Sequence, residues 1–303
     1  MKKANLISPK IKEKVSILNI AIFVILCVYF ISLLIPILWA AYSALNDIDA
    51  YDAYYTLHGA FPTKLTFDNF VTALTKLYVI AETKEQVRMK YYFVDMMGFS
   101  VLYAVGSAFF FTLTPCLVAY CAARFKFKFS KVIYGFVIVA MSLPIVGTMP
   151  SELRMLRFLG IDNTFFGMFV LRMNFLSVNF LIMYAQFQMI PMTYSEAAKV
   201  DGASNFRIMT TVIMPQAVPT MVTIFLLSFL TFWNDYQIPH IYLPSYPTVA
   251  EGLFLLSDTG QSAFNQLPVR LAGFIGLTFP IIIIFALLNK FLKVNVATGG
   301  IKG

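Results

Sequence analysis

The chain has 303 residues, 59% of them hydrophobic and only 13% charged, with a mean hydropathy of +0.75. That mix excludes an ordinary soluble domain and places the chain in a bilayer. The formal net charge of +8 sits in Lys and Arg beside apolar stretches, which reads as membrane topology and not as nucleic-acid binding.

Crossing about 30 Å of hydrocarbon takes roughly 20 apolar residues in a helix. Six stretches reach that length, at approximately 16–43, 93–122, 131–152, 165–190, 214–240 and 268–292. The strands of a membrane barrel would show short alternating segments instead. The expected fold class is all-α integral membrane, with six transmembrane helices. Its parts are a tail over 1–15, a first helix over 16–45, a loop over 46–92, a five-helix core over 93–292 that contains a polar loop at 191–213, and a tail over 293–303.

Orientation follows from the basic residues, since cytoplasmic flanks retain positive charge. Lys2, Lys3, Lys10, Lys12, Lys14, Arg124, Lys126, Lys128, Lys131, Lys290, Lys293 and Lys302 fall on one side, and with an even number of spans so do both termini and the 191–213 loop. Asp47, Asp68, Glu82, Glu152 and Glu251 are among the acids that fall in the opposite loops. The apolar run Val15–Leu45 far exceeds the about 7–15 residues of a signal-peptide core, so a retained first helix is expected. Cys27, Cys116 and Cys121 lie inside apolar stretches and read as packing residues.

In the 46–92 loop, Phe67, Phe70, Val71, Leu74 and Leu77 recur at helical spacing, and Asp68 is placed to cap the start. The segment reads either as an ordered outer cap touched by a substrate-delivering protein or as a structured spacer. Pro144 inside the third stretch and Pro150 near its end predict a kink or an unwound turn. Asn163 or Thr164 is placed to cap the fourth helix, which carries Arg172, Asn174, Asn179 and Gln186. Asn179 and Gln186 share a face, and such groups belong at a helix interface or along a watery path. In the fifth stretch, Phe232-Trp233-Asn234-Asp235-Tyr236 sets an acid and an amide beside aromatics. Trp233 and Tyr236 read as interfacial anchors. Asp235 must be hydrated or paired there, and with Trp233 and Asn234 it is a candidate for an outer gate.

Between the fourth and fifth stretches, Thr193-Tyr194-Ser195-Glu196 has the capping-box form, with Thr193 accepting from the Glu196 backbone and Glu196 reaching back. Ala197 and Ala198 favour a helix and leave a low surface that another protein can approach closely. Asp201-Gly202 supplies a break, because Gly tolerates the left-handed geometry that ends a helix. A second helix is expected near Ser204, and Pro215 suits a helix start close by.

The spacing resembles the EAA loop of ABC-importer permease subunits: Glu-Ala-Ala, three residues, Gly, nine residues, Ile-x-Leu-Pro. Here Glu196-Ala197-Ala198, Gly202 and Val212-Ile213-Met214-Pro215 stand in those places, with Val212 for the usual Ile and Met214 for the usual Leu. Trp233-Asn234-Asp235, the turn Leu159-Gly160-Ile161-Asp162-Asn163-Thr164 with Gly167, and the ending Ala297-Thr298-Gly299-Gly300-Ile301-Lys302-Gly303 resemble the maltose-type sugar permeases. The resemblance implies a type I importer fold in a bacterial or archaeal cell membrane, with a second and different permease subunit, two ATPase subunits and an extracytoplasmic solute-binding protein. ATP and Mg would be bound by the ATPase subunits and no cofactor by this chain. It further implies ATPase coupling through Glu196, Ala197, Ala198, Asp201, Gly202 and Pro215, a second contact through Gly299, Gly300 and Lys302 of the tail, and a carbohydrate cargo.

The residues also bound the alternatives. No Gly-x-x-x-x-Gly-Lys-Ser/Thr sequence occurs, so the phosphate-cradling loop of an ATPase is missing, and His58 and His240 join no catalytic or metal-binding set. The chain is not expected to be an enzyme. A permease for a non-sugar solute, a secondary transporter and a non-transporting scaffold are the other readings. Secondary transport would call for intramembrane acids and an internal repeat; no repeat is seen, and acids well inside the stretches are nearly absent.

Overall fold

The computed structural model describes residues 17–48, 51, 64–125, 129–143, 147–259 and 266–299. Helix α1 (Ile17–Ala44) is apolar on every side, and nearly all its side chains are exposed, as suits a helix whose solvent is lipid. Its last residues, Ser43 and Ala44, are buried, and Asn69 ties them down. From helix α2 (Asp68–Lys76), the Asn69 Nδ2 donates to the Ala44 carbonyl at 2.9 Å and to the Asn46 carbonyl at 2.6 Å. The Ala44 carbonyl is one of the acceptors that a helix end leaves without partners.

Helix α2 lies where the apolar spacing predicts one, but its inner face differs. Asn69, Ala73 and Leu77 are buried, whereas Phe67, Val71 and Leu74 are exposed. Asp68 is not the cap: the Thr66 hydroxyl accepts from the Asp68 N–H at 3.1 Å and donates to its carboxylate at 2.8 Å. A hairpin follows that the all-α expectation missed. Strand β1 (Tyr78–Glu82) pairs antiparallel with β2 (Arg88–Tyr92), from Tyr78 opposite Tyr92 to Glu82 opposite Arg88. Val79 and Ala81 are buried and Ile80 is exposed, the alternation of a strand with one packed face.

Among the described residues, four helices are long and apolar enough to cross a membrane: α1, α3 (Phe93–Arg124), α9 (Asn205–Trp233) and the segment Leu267–Asn289. That last segment comprises α12 (Leu267–Gly276) and, after a turn at Leu277, α13 (Thr278–Gly299). Helix therefore continues beyond 292, through residues assigned to a tail on sequence grounds. The third and fourth stretches are not single continuous helices. The third yields α4 (Ser130–Ser142) and a separate α5 (Met149–Phe158) with Pro150 in its first turn, where a missing N–H costs nothing; Pro144 lies outside the described residues. The fourth is divided into α6 (Phe165–Arg172) and α7 (Val178–Met189). At the break, Asn174 Oδ1 accepts the Leu176 N–H at 2.8 Å, so a local Asx-type turn replaces helical bonding. Thr164, not Asn163, caps α6 by accepting from Gly167 N–H at 3.1 Å.

Helix α3 is the axis of the bundle, packed by α6, α7 and α9. Three apolar clusters lie along it. Tyr120, Phe180, Phe187, Ile208 and Ile213 fill the end near the 191–213 loop; Tyr103, Leu156, Met168, Phe229 and Trp233 fill the middle; Leu77, Phe93, Met96 and Leu253 fill the end near the hairpin. Two short helices, α10 (Gln237–Tyr242) and α11 (Val249–Thr259), close the hairpin end, where the Ser100 hydroxyl of α3 accepts from Val249 N–H at 2.7 Å. Apolar side chains gain little by leaving lipid for protein, so close packing and interhelical polar bonds hold such a bundle.

Candidate coupling site

Helix α8 (Thr193–Val200) follows Pro191 and carries the polar loop's most distinctive residues. The expected capping box does not form. Thr193 is already helical, and the Glu196 N–H donates to the Met192 carbonyl at 3.1 Å. The C-terminal end of α8 is built as the sequence suggests. Ala203 N–H reaches the Ala198 carbonyl at 2.9 Å and Gly202 N–H the Lys199 carbonyl at 3.0 Å, a Schellman closure that needs a left-handed residue. Gly202 supplies it with φ +77°. Ser204 then caps α9 by accepting from Arg207 N–H at 3.3 Å.

This local geometry gives α8 two unlike sides. Ala198 and Ala203 pack on the apolar cluster of Tyr120 and Phe187, while Glu196, Ala197, Lys199, Val200, Asp201 and Gly202 are exposed. Pro215 stands where the sequence predicts a helix start, in the first turn of the α-helical stretch Met214–Trp233, although the helical winding of α9 already begins at Asn205. It is accommodated inside that helix. Residues Ile208–Ile213 are wound as a π-helix, with Met214 N–H bonded to the Met209 carbonyl, a widened turn just before a residue that has no N–H to give.

Arg124 is the functional-site residue that the sequence reading missed, having counted it only as a topological charge. Its side chain is buried at the end of α3. The guanidinium donates to the carbonyls of Ile190 at 2.6 Å, Phe187 at 3.4 Å and Pro191 at 3.4 Å, and to Ser195 Oγ at 2.7 Å. A signal was present in the sequence: a cation closing one apolar helix and a proline ending another on the same side of the membrane, where unpaired carbonyls await a donor.

The polar residues predicted for a pathway or gate are dispersed. Asn179 Nδ2 lies 3.5 Å from the Phe111 carbonyl of α3, the outer limit of a hydrogen bond, and Gln186 Oε1 accepts from Thr220 of α9 at 3.2 Å. These contacts fit the interface reading. Trp233 is 2% exposed and donates from Nε1 to the Leu277 carbonyl at 3.0 Å, so it is an interior packing residue and not an interfacial anchor. Tyr236 stacks on Phe254 at 4.4 Å. Asn234 is exposed and donates to the Leu230 carbonyl of its own helix. Gly299 ends α13, and Gly300 and Lys302 lie outside the described residues.

Asp235 is paired. Its Oδ2 accepts from the Tyr103 hydroxyl at 3.0 Å and its Oδ1 from Ile238 N–H at 3.1 Å. The same hydroxyl accepts from Arg172 at 3.2 Å, and the Arg172 guanidinium lies 4.6 Å over the Phe232 ring. One hydroxyl thus joins α3, α6 and the chain after α9. Further toward the hairpin end, Tyr242 donates to Glu152 at 2.6 Å, and His240 Nδ1 lies 3.0 Å from Glu251 Oε1. Burial raises the Glu251 carboxyl above its ordinary value because the charged form loses hydration.

The family model for the binding-protein-dependent transport system inner membrane component matches residues 116–296, more than half of the chain, and the chain belongs to that family. It is a multi-pass membrane component of a transport system. It is similar to the melibiose/raffinose/stachyose import permease protein MelC of Bacillus subtilis, with 25% identity across 96% of this chain and 98% of that protein. Similarity of the same degree extends to the galactooligosaccharides transport system permease protein GanQ of that organism, with 25% identity across 95% of each chain. The fold matches a chain in the crystal structure of a bacterial ABC transporter involved in the import of the acidic polysaccharide alginate. There the TM-score is 0.74 at 20% identity, over 94% of this chain and all of that one.

Proposed function

We propose that this chain is one of two permease subunits of a binding-protein-dependent ABC importer for oligosaccharides or related carbohydrates. The sugar class is supported by the names of relatives such as MelC and GanQ, which align along almost their whole length. The observation that carries the coupling role is the two-sided helix α8, whose exposed face bears Glu196 and Ala197 while Ala198 and Ala203 seat it against the bundle. A helix held this way transmits a push.

On this reading, two separate ATPase subunits bind ATP and Mg and close beneath α8. Their motion shifts the bundle between inward-facing and outward-facing states, and the ligands act by their differential affinity for the two. Glu196 supplies a charged contact, Ala197 lets the ATPase approach, Ala198 and Asp201-Gly202 set the bend, and Pro215 fixes the widened turn that follows. The tail with Gly299, Gly300 and Lys302 gives a second contact. Both termini and α8 are cytoplasmic, α2 and the hairpin face the binding protein, and the second permease is a different chain. Tyr103, Arg172 and Asp235, backed by Trp233 and Asn234, hold the outer end of the pathway closed, while Asn179 and Gln186 fasten α7 within the bundle.

The test is ATP hydrolysis by the purified complex, with and without binding protein and a panel that includes raffinose and stachyose, comparing wild type with Glu196→Lys. The expected result is hydrolysis stimulated by a sugar-loaded binding protein and lost in the variant. Hydrolysis indifferent to the substitution, or no ATPase in the complex, refutes the coupling. Stimulation only by a non-sugar solute refutes the cargo class.

A further inference from the structure

Arg124 joins three elements, the ends of α3 and α7 and the start of α8, by hydrogen bonds added to their apolar packing. It is the last residue of α3 and is 8% exposed. Three of its acceptors are carbonyls at the end of α7, from Phe187 to Pro191, and the fourth is the Ser195 hydroxyl in the first turn of α8. No carboxylate pairs with it among the described residues. A buried cation is tolerated only while its hydrogen bonds are made, so any displacement of α8 against α7 strips donors from oxygens and is opposed. The planar guanidinium reaches two elements at once from fixed positions, which a lysine ammonium on a flexible stem does not reproduce. The negative ends of the α7 peptide dipoles favour the charge where it lies.

We propose that Arg124 is a positioning residue, a strut that locks α8 to α3 and α7 so that all three move as one body when α8 is pushed. This rests on the coupling role proposed for α8. It extends that role by naming how motion leaves the loop: through a buried guanidinium that does not touch the ATPase.

The experiment uses the assembled transporter with Cys27, Cys116 and Cys121 replaced by Ala and spin labels placed at Val200 on α8 and Leu102 on α3, both of which are exposed. The separation of the two labels is measured without nucleotide and with Mg-ATP trapped by a hydrolysis-deficient ATPase subunit. In the otherwise unaltered chain the separation is expected to be narrow and the same in both states. In Arg124→Lys it is expected to broaden and to change on ATP binding. Ser195→Ala removes only the α8 attachment and leaves the carbonyls of α7 capped, so it is expected to do the same to a smaller extent. If Arg124→Lys does not assemble, Ser195→Ala decides alone. A separation that changes on ATP binding without either substitution, or variants with the original narrow and unchanged separation, overturns the strut. Hydrolysis measured in parallel with Glu196→Lys keeps the two readings apart, because indifference there refutes the coupling role whatever the labels report.

Discussion

The two ends of the bundle are held by different kinds of bond. Near α8 the decisive contacts are local: Ala203 to Ala198, Gly202 to Lys199, Arg207 to Ser204. From the middle of the bundle to the hairpin they join residues far apart in the chain, such as Tyr103 with Asp235, Glu152 with Tyr242, and Ser245 with the Glu82 carbonyl. A shape made by local bonds leaves its outer surface free for another protein. A cluster made by long-range bonds exists only while the helices are assembled, and it opens when they separate. Arg124 is the exception, a long-range tie at the local end.

The largest expected effects test the local end. Glu196→Lys and Gly202→Asp are each expected to abolish uptake while membrane insertion, checked by fractionation, stays intact. Gly202→Ala sharpens the point. No heavy atom lies within 4 Å of where its Cβ would sit, so it carries only the left-handed backbone penalty of about 1–2 kcal/mol and should retain part of the activity. Normal uptake by Gly202→Asp would break the contrast between the two ends.

Next in size is Asp235→Ala, which leaves the Tyr103 hydroxyl without its acceptor between helices. A loss of about 1–3 kcal/mol is expected, read as a lower melting temperature of the purified complex, together with impaired uptake. Asp235→Asn keeps an acceptor and should be milder. Full uptake in the alanine variant would remove the gate role and leave the cluster purely structural.

A smaller effect concerns pH. Because burial raises the Glu251 carboxyl from its ordinary value of 4.5, the folded protein holds a proton that the unfolded chain has released. Its contribution to stability is therefore present below that ordinary value and is lost as pH rises through the raised one. Melting temperature across this window should fall with pH in the wild type and be flatter in Glu251→Gln. The smallest effect is expected for Arg88→Ala, which removes an exposed ion pair with Glu82. Such pairs contribute about 0–1 kcal/mol, so the melting temperature should hardly move.

Sequence reading did well where structure is set by neighbours along the chain. Gly202 ends α8 and Ser204 starts α9 because turn and cap chemistry involve residues a few positions apart. It placed Pro215 correctly in the first turn of the α-helical stretch Met214–Trp233, but not the π-turn upstream that carries the winding on from Asn205. It fell short in the fourth stretch, whose apolar length concealed the Asx turn at Asn174, whereas in the third the prolines signalled an interruption but not the separate α5. The hairpin escaped notice because five-residue strands carry little periodic signal beside long apolar runs. Trp233 was misplaced since depth in a bundle is not a property of one helix.

By itself the sequence determined that the chain lives in a bilayer and that a polar loop with a defined break interrupts its apolar stretches. Hydropathy and turn preference are local quantities, summed over adjacent residues. Only the tertiary structure decided that Arg124 grips α7 and α8, that Asp235 meets the Tyr103 hydroxyl that Arg172 also contacts, and which side of α8 stays open. Those outcomes depend on which distant groups meet in a medium where an unpaired polar atom is costly, and no run of neighbouring residues records that.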